Sequence, residues 1–229
     1  MVTGAERAAR AAVVSACRRL DDRGLIAGAE GNVSCRFGAR MLVITPAGVA
    51  KATLRSSDLV LMRIDGTLPK QRRRPSSEAA MHLAIYLARP DVLSVVHAHP
   101  PAATGFAVAH RPLPVAALAE LAGVVGTVPL VRYEKPGSRA LGVAVARGMR
   151  RANAALLANH GAVAVGPDCA AATNLMESLE QCARILVTAH ILGGVTELGH
   201  SDVLALGRSR TEAVIPEVRR AANRGNRRS

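Results

Sequence analysis

The sequence predicts an α/β fold: a three-layer α/β/α sandwich around a central, largely antiparallel mixed sheet. Short apolar, β-branched runs of strand length are interspersed with stretches of helical spacing. Neither a sustained strand–helix–strand alternation nor a GxGxxG turn is present, which argues against a parallel dinucleotide-binding sheet. At 229 residues and 49% hydrophobic content, one domain can bury a core without staples. Aromatic residues make up only 2%, so that core is built from Ala, Val and Leu.

Residues 5–22 repeat Ala, Val and Leu at helical spacing and stop before Gly24. Gly31-Asn32-Val33-Ser34 opens a strand after a glycine-rich approach. Met41 to Thr45 forms a second strand, turned by Thr45-Pro46-Ala47-Gly48, with Pro and Gly where a type I turn prefers them. Leu59 to Ile64 reads as a third strand, with Asp65-Gly66 as a hairpin turn. Ser76-Ser77-Glu78 opens a helix from Ser77 to about Ala88, broken at Pro90. Leu93 to Ala98 is β-branched and stops at Pro100. Residues 101–109 and 116–122 read as helical, 128–133 as strand and 138–151 as helix. Residues 154–159 and 161–165 are strand-like, split at His160. Asp168 caps a long helix running to about Leu192 and closed by Gly193-Gly194. We expect one domain over residues 1–210 and a basic tail over 211–229, a loosely held helix and frayed end.

Composition narrows the function classes. Net charge is +13, but Lys70, Arg72, Arg73 and Arg74 form one run and five arginines crowd the tail; the body without those nine carries +4. No helix-turn-helix or aromatic stacking platform accompanies the charge, so specific nucleic-acid binding is not expected. Residues 112–131 match a membrane span in length, yet Pro114, Pro129, Gly123, Gly126 and Glu120 argue for a buried helix–turn–strand. No membrane association is expected. Cys17, Cys35, Cys169 and Cys182 lack CxxC spacing and read as reduced thiols; with no secretory signal visible, this suggests a cytoplasmic protein.

The chemistry concentrates in two stretches. On a strand, His97 and His99 lie two apart and share a face. Glu78 sits at a helix start, and Ala158-Asn159-His160-Gly161 supplies a third imidazole. Three histidines and one carboxylate are the ligand inventory of a catalytic zinc with an exchangeable position. The turns at Gly31-Asn32 and Ala47-Gly48, with the helix start at Ser77, offer backbone N–H groups to an anion. His82, one helical turn after Glu78, either backs the site or serves a polar helix face; His110, His190 and His200 stand outside any motif.

Taken in order, GNVS (31–34), TPAG (45–48), SSE (76–78), HAHP (97–100) and NHG (159–161) resemble the class II aldolase and adducin-head family over about Arg10 to Gly194. The resemblance implies that His97, His99 and His160 hold Zn²⁺, and that Glu78, a ligand at rest, becomes the base when substrate arrives. It implies a phosphate cradle of Asn32, Ala47, Gly48, Ser76 and Ser77, with Ala47 where the family commonly has a hydroxyl. It implies a lyase that cleaves a small phosphorylated ketose through a zinc-held enediolate, and a homotetramer with sites at subunit interfaces. A decarboxylase, dehydratase or epimerase on the same metal site, or a non-catalytic scaffold, are the alternatives. The family's tyrosine acid falls, aligned from Pro114, on Leu118. Glu120 is then the nearest group able to replace that acid, or else a solvent-facing residue of a short helix.

Overall fold

The computed structural model describes residues 2–208. Helix α1 (Gly4–Asp22) starts at Thr3, whose hydroxyl accepts the Glu6 N–H. The strands β1 (Asn32–Phe37), β2 (Met41–Ile44) and β3 (Val60–Arg63) follow, then α2 (Ala79–Ala88), β4 (Ser94–Ala98) and α3 (Pro101–Val108). After irregular turns come β5 (Leu130–Val131), α4 (Arg139–Gly148), β6 (Ala154–Leu157), β7 (Gly161–Gly166) and α5 (Cys169–Ile191). Asp168 caps α5 as expected, accepting the Ala171 N–H at 2.7 Å.

The strands form one sheet in the order β3-β2-β1-β4-β7-β6-β5. Every pairing is antiparallel except β5 with β6. Strand alternation sends Val96 and Ala98 to one face, where α1, α3 and α5 pack in an Ala/Val/Leu core. Val95 goes to the other face, against α2 and α4. The three layers expected from the sequence are therefore present. The close crossing of α2 and α4 depends on Gly142, where an added Cβ would sit 3.0 Å from the Ala80 carbonyl.

Several expected boundaries shift. Residues 116–122 are not one helix but a 3₁₀ turn (Val115–Ala117) and a π-helical turn (Leu121–Val125). The expected strand 128–133 shrinks to Leu130–Val131, because prolines and glycines flank it. The Asp65-Gly66 turn forms, with Asp65 accepting from Thr67, but no return strand follows. Instead the Gln71 side-chain amide exchanges two hydrogen bonds with the Leu61 backbone, and Arg63 N–H donates to the Thr67 carbonyl. The α2 helix begins at Ala79 rather than Ser77, since Ser76 N–H donates to Thr45 in the β2 turn. Residues 200–208 are helical, and the basic tail lies outside the described residues. Among the described residues, no helix is long and apolar enough to cross a membrane.

Candidate active site

His97 lies at the end of β4, fully buried, in register with Asn32 on β1 and Val163 on β7. His99 follows just past the strand end. His160 arrives from the β6–β7 turn, where Asn159 takes a left-handed conformation (φ 55°) that asparagine tolerates. The His110 ring fixes that turn, pairing through Nε2 with Asn159 Oδ1 at 2.6 Å. The three imidazole rings form a triangle with centroids 4.7–5.3 Å apart.

Two glycines make room for it. A Cβ on Gly161 would lie 2.6 Å from both the Ala98 carbonyl and His99 Cδ2, so β7 can approach the histidine strand only without a side chain there. Gly31 has φ +66°, and its Cβ would meet the His97 carbonyl at 2.8 Å.

The ring nitrogens sort themselves. His97 Nδ1 faces the Ala162 carbonyl at 2.9 Å, which can only accept, so Nδ1 carries the proton and Nε2 keeps its lone pair. His99 Nδ1 donates to Glu30 Oε2 at 3.2 Å, which leaves its Nε2 free likewise. His97 Nε2 and His99 Nε2 are 3.3 Å apart. Glu78 Oε2 lies 3.1 Å from His97 Nε2, and Glu78 Oε1 lies 3.5 Å from His160 Nε2. Ligands about 2.0–2.1 Å from one tetrahedral zinc are about 3.4 Å from each other. The donor set therefore fits a divalent cation of that size.

Two further observations support the fit. Glu78 Oε1 is buried without a hydrogen-bond partner, a costly state that a cation removes. Burial, with the crowding of His97 beside them, pushes the His160 imidazole down to about 4 and lowers His99 too, so both favour the neutral form that metal binding requires. Burial pushes the Glu78 carboxyl up, but its close neighbours His97, Asn32 and His160 together hold it well below the usual carboxylate range.

Around the triangle, tertiary hydrogen bonds gather the β1 start, the β2 turn and the α2 start. Thr45 N–H donates to Val33, Ser76 N–H to Thr45, and Asn32 Nδ2 to Glu78 Oε2 at 2.9 Å. Ser76 is buried and its hydroxyl accepts the Glu78 N–H; Ser77, Ala47 and Gly48 are exposed. The Ala47 N–H does not point at an anion as expected, because it donates to the Arg74 carbonyl at 3.2 Å.

A family model, the class II aldolase and adducin N-terminal domain, matches residues 11–187. The chain belongs to that family. It is 35% identical over 155 residues to 5-methylthioribulose-1-phosphate/5-deoxyribulose-1-phosphate aldolase of Escherichia coli O45:K1, covering 67% of this chain and 71% of that protein. An L-fuculose 1-phosphate aldolase structure superposes with a TM-score of 0.81 at 32% identity, over 87% of this chain and 94% of the other. YgbL from Klebsiella pneumoniae, a candidate aldolase, epimerase or decarboxylase, gives 0.81 at 31% identity, over 89% of this chain and 100% of its own.

Within this class II aldolase-family chain, Leu118 is half-buried against the core. Glu120 is exposed, in a groove with Arg23, Glu177 and Arg184 that none of the three histidines lines. A single chain thus unites Glu78 with the histidines and leaves Glu120 apart. Sequence reasoning missed two residues and left a third open. Glu30 orients His99, and its place beside Gly31 was the only hint. Lys51, buried, donates from Nζ to Ala29 and Val49, bracing the two turns together. His82 is wholly buried, which settles its open reading in favour of a residue behind the site.

Proposed function

We propose that this chain is a zinc-dependent lyase that cleaves a small phosphorylated ketose, of the kind handled by fuculose-phosphate and 5-deoxyribulose-phosphate aldolases. The observation that carries the reading is the convergence of three imidazoles, whose ligand atoms all lie within 4.8 Å of one another, with the Glu78 carboxylate 3.1 Å from His97 and 3.5 Å from His160. His97, His99 and His160 would hold the metal, with Glu78 as the fourth donor; all-imidazole sites suit zinc. When bound, the metal supplies Lewis acidity, polarising the substrate carbonyl and stabilising the charge that develops as the carbon–carbon bond breaks.

The chain's own residues do the rest. Asn32, Gly48, Ser76 and Ser77, with the Ala47 turn, receive the phosphate at the mouth. Glu78 leaves its resting contacts and exchanges the proton at the carbon that carries the developing charge. A second group takes the proton of the hydroxyl next to the breaking bond, a task leucine at position 118 cannot perform. Glu120 is our candidate, and it would serve the histidines of a neighbouring subunit in a homotetramer. Reduced cysteines accord with a cytoplasmic enzyme.

The leucine at 118, with the likeness to YgbL, favours a second reading: decarboxylation or epimerisation of a sugar phosphate on the same metal site. Assaying metal-loaded protein against phosphorylated ketoses and keto acids, with Glu78→Gln alongside, tests both. Aldol cleavage that falls about a hundredfold in the variant supports the first reading. Turnover of a keto acid alone would select the second, and equal turnover by the variant would remove Glu78 from either.

A further inference from the structure

Behind Glu78, five polar side chains form a buried line between β1 and α2. Glu78, His82 and Tyr86 stand at successive fours on one helix face, and Asn32 and Ser34 stand two apart on one strand face. None is more than 9% exposed. Asn32 Nδ2 reaches Glu78 Oε2 at 2.9 Å, and Asn32 Oδ1 meets His82 Nε2 at 2.5 Å. His82 Nδ1 meets Ser34 Oγ at 2.7 Å, and Ser34 Oγ meets the Tyr86 hydroxyl at 2.7 Å.

Counting protons leaves one arrangement. A carboxylate only accepts, so the Asn32 amide turns its NH₂ to Glu78 and its oxygen to His82. His82 must then carry its proton on Nε2, which makes Nδ1 an acceptor. Ser34 has one hydroxyl proton and gives it to Nδ1, so the Tyr86 O–H donates to Ser34. Every donor along the line points towards the carboxylate. Burial drives the His82 imidazole down to about 3, so the single-proton form persists across the working range of pH.

We propose that His82 is a positioning residue for the base. By donating from Nε2 it fixes which way the Asn32 amide faces, so that Asn32 clamps Glu78 Oε2 and leaves Oε1 as the oxygen free for metal and substrate. This rests on Glu78 being a metal donor and base. Loss of the His82 donor leaves the buried Asn32 Oδ1 without a partner, so the side chain is free to swing away and loosen its hold on Glu78 Oε2.

Co²⁺ alone is the probe, because its visible absorption reports the ligand set without any substrate. Glu78→Gln should shift the band, and His82→Leu, with all three histidines intact, should shift it similarly and weaken Co²⁺ binding about tenfold or more. His82→Gln, whose amide nitrogen can replace the Nε2 donor, should restore the wild-type spectrum. Ser34→Ala, a smaller cut further along the line, should shift the band partway and covers the case in which His82→Leu does not fold. A folded His82→Leu or Ser34→Ala protein with a wild-type spectrum and affinity overturns the inference while Glu78→Gln still shifts the band. If Glu78→Gln leaves the spectrum unchanged, the Glu78 reading falls first and takes the inference with it.

Discussion

The histidine triangle was legible because each imidazole carries its chemistry in its own letter and sits in a short motif. Glu30 was not, because its contact with His99 spans 69 positions and no local spacing announces it. Its carboxylate holds the His99 Nδ1 proton and so leaves Nε2 facing the other donors of the proposed metal site. Glu30→Ala should therefore weaken Zn²⁺ binding about 10–100-fold. Because the Glu30 side chain is half exposed, the metal-free protein should keep its stability within about 0.5 kcal/mol. Titration calorimetry beside thermal melts checks both, and an unchanged Zn²⁺ affinity would show that His99 is oriented without Glu30. Gly161 also escaped notice as a spatial requirement, since a missing side chain has no chemistry to read.

At the scale of elements, capped helices were the most legible. Asp168 marks the start of α5 by its carboxylate, and both α1 and the long α5 follow their apolar spacing, though the Thr3 cap of α1 emerges only in the structure. The segment between α3 and α4 was the least legible. There proline and glycine allow several turn types, and packing against α5 and the C-terminal residues selects among them. The loops of the proposed cradle depend on Lys51 in a way no pattern exposes. Burial lowers its ammonium, yet it stays because Ala29 and Val49 offer carbonyls at 2.8 and 3.0 Å. Lys51→Met leaves both carbonyls without that donor, and a buried unpaired acceptor costs about 1–3 kcal/mol. The variant should lose about 2–4 kcal/mol in urea unfolding and bind inorganic phosphate more weakly than wild type. Full stability in Lys51→Met would mean that the two turns hold each other without the lysine.

For the whole molecule, layers and mixed sheet follow from the pattern of runs, but the strand order does not, since it depends on pairings such as β4 with β7 across distant sequence. That order puts an uncharged histidine in the interior, with a consequence for acid stability. The folded pKa of His82, about 3, lies below its ordinary 6.5, so between those values the unfolded chain binds a proton that the folded one refuses. Stability conferred by this group is full above about pH 6.5 and falls as pH drops towards 3, at about 1.4 kcal/mol per pH unit. His99 and His160 are lowered too and add in the same direction. Urea unfolding of the metal-free protein from pH 7 to pH 4 should show this decline, and His82→Gln should flatten it by about one proton. An equally steep decline in His82→Gln would place the proton uptake elsewhere.

The two rims of the sheet limit how copies of the chain can associate. On one side, Gln71 and Thr67 occupy the outward backbone groups of Leu61 and Arg63, and on the other β5 is two residues long. A second molecule finds little ladder to extend, so fibre-like, strand-by-strand addition has no template. Among the described residues, the surface left for symmetric assembly is helix faces and loops, where Glu120 and the exposed end of α5 lie.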